Sequence, residues 1–242
     1  MKLTDWLTII LMLLLLPPQL HADGNFTAYR EFNQLNTHIR DNNISRNAAL
    51  GEMRRLLPLV KNYYFSNGGG QLSRSEWRFP IEGYTLQATG NRGRDYVASG
   101  YDFFSGNRHG GHPSFDLFIR DKNRDDLDDR TGKPVHVLSM SGGIVVSVAN
   151  EWEAESKLRG GKYVWVYDPT NELLLYYAHN RDILVTIGDI IKPGDRIATV
   201  GRTGLNARKK RSPTHLHLTC LKLDNGYPKP ENIFQDLKRI GK

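Results

Sequence analysis

The sharpest chemical signal in this sequence is Pro213-Thr-His-Leu-His-Leu218. Its apolar context favours a strand, and residues two apart on a strand face the same side. His215 and His217 then point together, while Leu216 and Leu218 point into a core. A lone histidine is usually structural, but two on one face are candidates for metal binding or proton transfer. His112-Pro-Ser-Phe-Asp116 puts an imidazole and a carboxylate four residues apart, on one side of a strand and roughly on one side of a helix. Both groups are good Zn2+ donors, although this spacing alone is weak evidence. His179 closes the run Leu173 to Ala178, where a strand end can reach a cleft floored by a sheet. Catalytic zinc takes three protein ligands and keeps one position open for a water, whose pKa it lowers to about 7. One ligand pair, one further ligand and two spare histidines meet that requirement.

The segments that must position these side chains are mostly extended. Gly142 to Ala149 is a β-rich run, and Lys162–Tyr167 and Glu172–Ala178 flank the turn sequence Asp168-Pro-Thr-Asn171, which predicts a hairpin. Lys192-Pro-Gly-Asp195 predicts another tight turn before Arg196–Val200. The expected fold is mainly β. Residues 26–65 differ. Phe26, Tyr29, Phe32, Leu35 and Ile39 recur at helical spacing, and a second helical stretch runs from Ser45 to Tyr64, with Pro58 positioned to kink or end it. Ser66-Asn-Gly-Gly-Gly70 reads as a linker. The helical part holds none of the five candidate residues, so it is expected to be a packing or spacing element dispensable for chemistry. Cys220 shares the parity of the core leucines and is expected to be a core residue; as the only cysteine it forms no internal disulfide.

Composition is that of a globular domain, 39% apolar and 24% charged, with a net charge of +7. A basic surface favours anionic partners. Lys2, the apolar run Leu7–Leu16 and Ala22 read as a signal peptide over residues 1–22. That run, roughly 10 residues against about 20 for a span, is too short for a stable membrane anchor. Export to the periplasm or outside the cell is expected, which argues against nucleic acid as a partner. The domain organisation expected is 1–22 leader, 23–72 helical segment and linker, and 73–242 a β domain that carries the five candidate residues.

The ordered set His112-x-x-x-Asp116, Tyr176-Tyr-Ala-His179, Gly201-Arg-Thr-Gly204 and His215-Leu-His217 resembles the lysostaphin-type zinc metalloendopeptidases. Gly132–Val135, Gly142–Val145, Val185–Asp189 and Lys192–Asp195 resemble the family's intervening segments, so the resemblance covers about residues 77–225. It implies a small antiparallel β-sheet domain with Zn2+ in an open groove. It also implies that His112, Asp116 and His217 are the metal ligands and that His179 and His215 are catalytic. His179 would act from the opposite wall, and the substrate would be the peptide cross-links of peptidoglycan. Three features depart from the pattern. Pro113, Ser114 and Phe115 stand where glycine is common, the loop Arg120–Arg130 is long and acidic, and a basic stretch, Asn206–Ser212, precedes the histidine pair and should rim the site. His109 is a competing ligand that lacks the carboxylate spacing, and His38 and His136 fit no motif. The rival function is a non-enzymatic cell-wall module that activates a separate amidase; retention of all five residues argues against it.

Overall fold

A computed structural model describes residues 24–242. The expected leader, residues 1–22, lies outside them. Among the described residues no helix is long and apolar enough to cross a membrane. Two helices open the chain, α1 (Gly24–Arg40) and α2 (Arg46–Ser66). Ser45 caps α2, its hydroxyl accepting from the Ala48 N–H. Pro58 neither ends nor borders this helix. It sits on the exposed side, and Leu56, Leu57 and Val60 around it are buried, so packing holds the helix through the missing N–H.

Nine strands follow: β1 (Ser114–Phe118), β2 (His136–Leu138), β3 (Gly143–Ala149), β4 (Lys162–Asp168), β5 (Leu173–Ile183), β6 (Ile190–Ile191), β7 (Arg196–Val200), β8 (His215–Asp224) and β9 (Tyr227–Pro230). A short helix, α3 (Phe234–Ile240), ends the chain. The strands form one antiparallel sheet whose main path runs β1-β8-β5-β4-β3-β6. β4 and β5 make the expected hairpin; the Asp168 carboxylate closes its turn by accepting from the Thr170 and Asn171 N–H groups.

The sheet is covered on both faces, which is why β4 is apolar at nearly every position. Val164, Val166, Leu175, Leu216, Leu218 and Cys220 point to one face, under Trp77, Phe79, Ile81 and Leu237. Cys220 is therefore core, and burial pushes its thiol far above the ordinary range. Ile144, Val146, Tyr163, Tyr167 and Leu174 point to the other face, where Phe32, Met53, Leu56 and Val60 of the two helices cover them. Asn36 and Asn33 fix α1 there by hydrogen bonds to the Ser147 hydroxyl and the Val148 N–H. By strand parity His215, His217 and Asp116 lie on this same face. The helices thus cover one part of it and leave the β1-β8-β5 part open as a groove.

Candidate active site

Antiparallel register assembles the cluster. Asp116 of β1 stands directly opposite His217 of β8, and His217 in turn stands opposite Ala178 of β5, one residue before His179. Asp116 Oδ1 lies 3.0 Å from His217 Nδ1, 3.4 Å from His112 Nε2 and 3.8 Å from His215 Nε2. The His179 ring centroid is 4.9 Å from that of His215 and 5.4 Å from that of His217. All five residues singled out in the sequence therefore meet. His109 does not join the group of donor atoms; its Nδ1 turns to the Gly110 carbonyl. His136 pairs with Glu82, and His38 is exposed.

His179 is not where the sequence suggested. It is neither at a strand end nor on an opposite wall. β5 continues to Ile183, and Ala178 and His179 together oppose the single residue Tyr163, forming a bulge with His179 at φ 66°. Bulges re-aim a side chain, here into the groove beside β8. The left-handed backbone costs energy in a non-glycine residue and is held by its surroundings: His179 N–H donates to the Gly160 carbonyl, and the Thr203 hydroxyl donates to the Asn180 carbonyl.

Each imidazole is anchored through its other nitrogen. The partner of His112 Nδ1 is the Asp95 carbonyl, that of His179 Nδ1 the Thr203 carbonyl and that of His215 Nδ1 the Pro213 carbonyl, at 3.1, 2.8 and 2.7 Å. A carbonyl only accepts, so these Nδ1 atoms carry the proton and each Nε2 offers a lone pair. His217 is turned the other way: Nδ1 faces Asp116, and Nε2 faces the Thr219 hydroxyl, itself hydrogen-bonded to Ser114. Outer partners of this kind fix tautomer and ring orientation.

Burial raises the Asp116 carboxyl, but its contacts with the His112 and His217 rings outweigh it and hold it far below the usual carboxylate range. The Asp116 contact raises His112, whereas burial lowers His217 and lowers His179 strongly. The His112, Asp116 and His217 donor atoms lie within 4.8 Å of one another. Two lone pairs converging on a carboxylate require a proton or a cation between them, so the donor set fits a divalent metal.

Sequence reasoning missed the residues that hold the strand ends. The buried Asp121 carboxylate accepts from the N–H groups of residues 124, 125 and 126 and from the Thr214 hydroxyl, next to His215. The acidic loop is thus more than a solvated turn. Its signal was an aspartate followed by polar turn residues. The basic stretch does rim the site: Asn206, Ala207 and Ser212 line a cavity of about 280 Å³ that also contains the five residues. Asn36, Ile39 and Arg40 of α1 line it too.

Residues 123–229 match the model of peptidase family M23. No curated protein matches. Among solved structures, lysostaphin from Staphylococcus simulans is 21% identical, with 60% of this chain and 49% of that chain covered and a TM-score of 0.38. The structure of LytU is 25% identical, with 55% and 79% covered and a TM-score of 0.39. A zinc-containing peptidase from Vibrio cholerae is 19% identical, with 63% and 38% covered and a TM-score of 0.36. The chain spans about half the length of lysostaphin. The matched segment, less than half of the chain, is similar to peptidase family M23. His179, His215 and His217 lie inside the matched segment, whereas His112 and Asp116 precede it.

Proposed function

We propose that the protein is an exported zinc metalloendopeptidase that hydrolyses peptide bonds in peptidoglycan cross-links. The observation that carries this reading is the convergence of His112 Nε2, Asp116 Oδ1 and His217 Nδ1, each histidine braced by an outer partner, beside two further imidazoles that open on the same groove. These three residues would hold the zinc. When bound, zinc polarises a carbonyl and makes a water acidic enough to attack at neutral pH.

His179 and His215 do the proton work. Burial keeps His179 neutral at pH 7, so its Nε2 lone pair can accept the proton that the attacking water gives up. The same nitrogen, once protonated, becomes a donor toward the negative charge that develops on the carbonyl oxygen. His215 presents Nε2 in the same way. Returning the proton to the leaving amine completes hydrolysis: the C–N bond breaks, and water supplies the second carboxylate oxygen and the amine hydrogen.

The cavity continues past the cluster to Tyr101, Phe103 and Trp165, which leaves room beside the histidines for part of a peptide. The leader at residues 1–22 is the ground for export, and the net charge of +7 suits an acidic polymer. Mass spectrometry of sacculi digested with the zinc-loaded protein tests the reading. New peptide termini are expected; intact cross-links, or bonds broken outside the peptides, would overturn it.

A further inference from the structure

Beyond the histidines, the cavity extends between β4, β5 and α1 along an aromatic wall of Tyr101, Phe103, Tyr163, Trp165 and Tyr176. Trp165 and Tyr176 stack at 4.5 Å. Two cations line this part, and they are not equivalent. Arg40 is neutralised by Asp41, with both guanidinium contacts at 2.8 Å. Arg159 has no carboxylate partner among the described residues. Its Nη1 donates to the His109 carbonyl at 2.7 Å, which leaves Nε and Nη2 without an acceptor. Asn107 Oδ1 accepts from its backbone N–H, so the residue is fixed at both ends.

A second donor faces the same space. The Tyr176 hydroxyl is hydrogen-bonded to nothing among the described residues. It is admitted there because residue 160 is glycine: a Cβ at Gly160 would fall 1.8 Å from the Tyr176 oxygen. Among the described residues Asp116 is the only acidic one lining the cavity, and its charge is taken up by the histidines and the metal they would hold. The rest of the cavity is net positive, with unfilled donors. A partly buried donor set of this kind favours an anion, and a guanidinium fork favours a planar carboxylate.

Resting on the reading of the site as a peptidase, we infer that Arg159 and Tyr176 form a subsite for a free carboxylate of the substrate peptide. The enzyme thereby selects acidic cross-link peptides over their amidated forms. Arg159 sets specificity and takes no part in bond breaking.

The probes are soluble cross-linked peptides released from sacculi, with their carboxyl groups free or converted to amides. Cleavage rates and calorimetric affinities are measured for the zinc-loaded wild type, Arg159→Gln and Arg159→Lys. Wild type is expected to favour the acid form. Arg159→Gln should weaken binding and kcat/KM for the acid form by about tenfold to a hundredfold, the range of a charge-assisted hydrogen bond, and leave the amide form unchanged. Arg159→Lys should recover part of the loss. Metal affinity for carboxylates would survive Arg159→Gln, so the variant separates the two sources of preference. Equal loss on both forms, or no preference in wild type, would overturn the subsite while leaving the peptidase reading intact. Absence of cleavage and binding for both forms overturns both.

Discussion

Asp116 and His217 face each other across neighbouring strands, with Oδ1 3.0 Å from Nδ1, and nothing on either strand lies between them. That register fixes the rest. His215 and Thr219 follow at strand parity, and Ala178 on the far side of His217 brings the β5 bulge to the site. A slip of one residue in β8 would turn both histidines into the core and both leucines into the groove.

His217→Ala should abolish stoichiometric zinc and activity together. Asp116→Asn keeps the shape but removes the charge that pairs with the histidines, so it too should lose metal. Elemental analysis checks both variants. Full zinc occupancy in His217→Ala would exclude that residue as a ligand.

His179→Ala and His215→Ala should keep zinc, since neither ring is among the three clustered donors. Turnover should fall by roughly 10²–10⁴ in each, the range for a lost acid–base group or oxyanion donor. The loss belongs in kcat, because these contacts strengthen as charge develops. Loss of zinc from either variant would make that residue a ligand.

The hairpin, the helical pair and the face-sharing of His215 and His217 were legible because each follows from local periodicity or turn chemistry. The β5 bulge was not. Its cause is a long-range fit, in which Gly160, Thr203 and Gly204 accept the bent strand, and no periodicity records that. The anchoring partners Asp95, Pro213 and Thr203 act through backbone carbonyls, to which residue type is blind. The part that α1 plays in lining the cavity was also hidden, because amphipathic spacing shows that a face is buried but not against what.

The helical segment was expected to be dispensable for chemistry, but its packing shows that it is needed for stability. Starting the chain near Ser73 would uncover Ile144, Val146, Tyr163, Tyr167, Leu174 and Leu221. At roughly 1.5–3 kcal/mol for each such side chain, the loss rivals the whole stability of a domain, about 5–15 kcal/mol. The shortened protein is expected to aggregate or lose near-ultraviolet circular dichroism, as size-exclusion chromatography and spectroscopy will show. A monomeric, zinc-binding, active fragment would refute this.

Asp126 should make stability fall with rising pH. Burial pushes its carboxyl up to about 6, against a nearby Arg202 that pulls it down, and its Oδ1 has no hydrogen-bond partner. The folded chain therefore holds this proton more tightly than the unfolded chain, where the group titrates near about 3.9. The favourable contribution is complete below pH 4 and is lost between about pH 4 and 6. Asp126→Asn removes the titration. Its Tm should match wild type near pH 4 and exceed it at pH 7.5; a pH-independent difference would show that ionisation is not the cause.

Gly204 tests how His179 is aimed. Its φ of +110° lies where side chains are strained, and a Cβ there would fall 2.4 Å from the Arg159 carbonyl oxygen and 2.9 Å from His179 Nδ1. The first neighbour is backbone and cannot rotate away. The second is the atom that bonds the Thr203 carbonyl and so sets which nitrogen faces the groove. Gly204→Ala should therefore strain the turn by about 1–2 kcal/mol from the positive φ alone. It should also push the imidazole off its carbonyl. The Tm should drop, zinc should stay bound because His112, Asp116 and His217 are untouched, and kcat should fall at least about tenfold. Calorimetry, elemental analysis and turnover on the same preparation separate these effects. If Gly204→Ala is destabilised yet turns over normally, the Thr203 contact does not position the catalytic nitrogen, and the role given to His179 must pass to His215 alone.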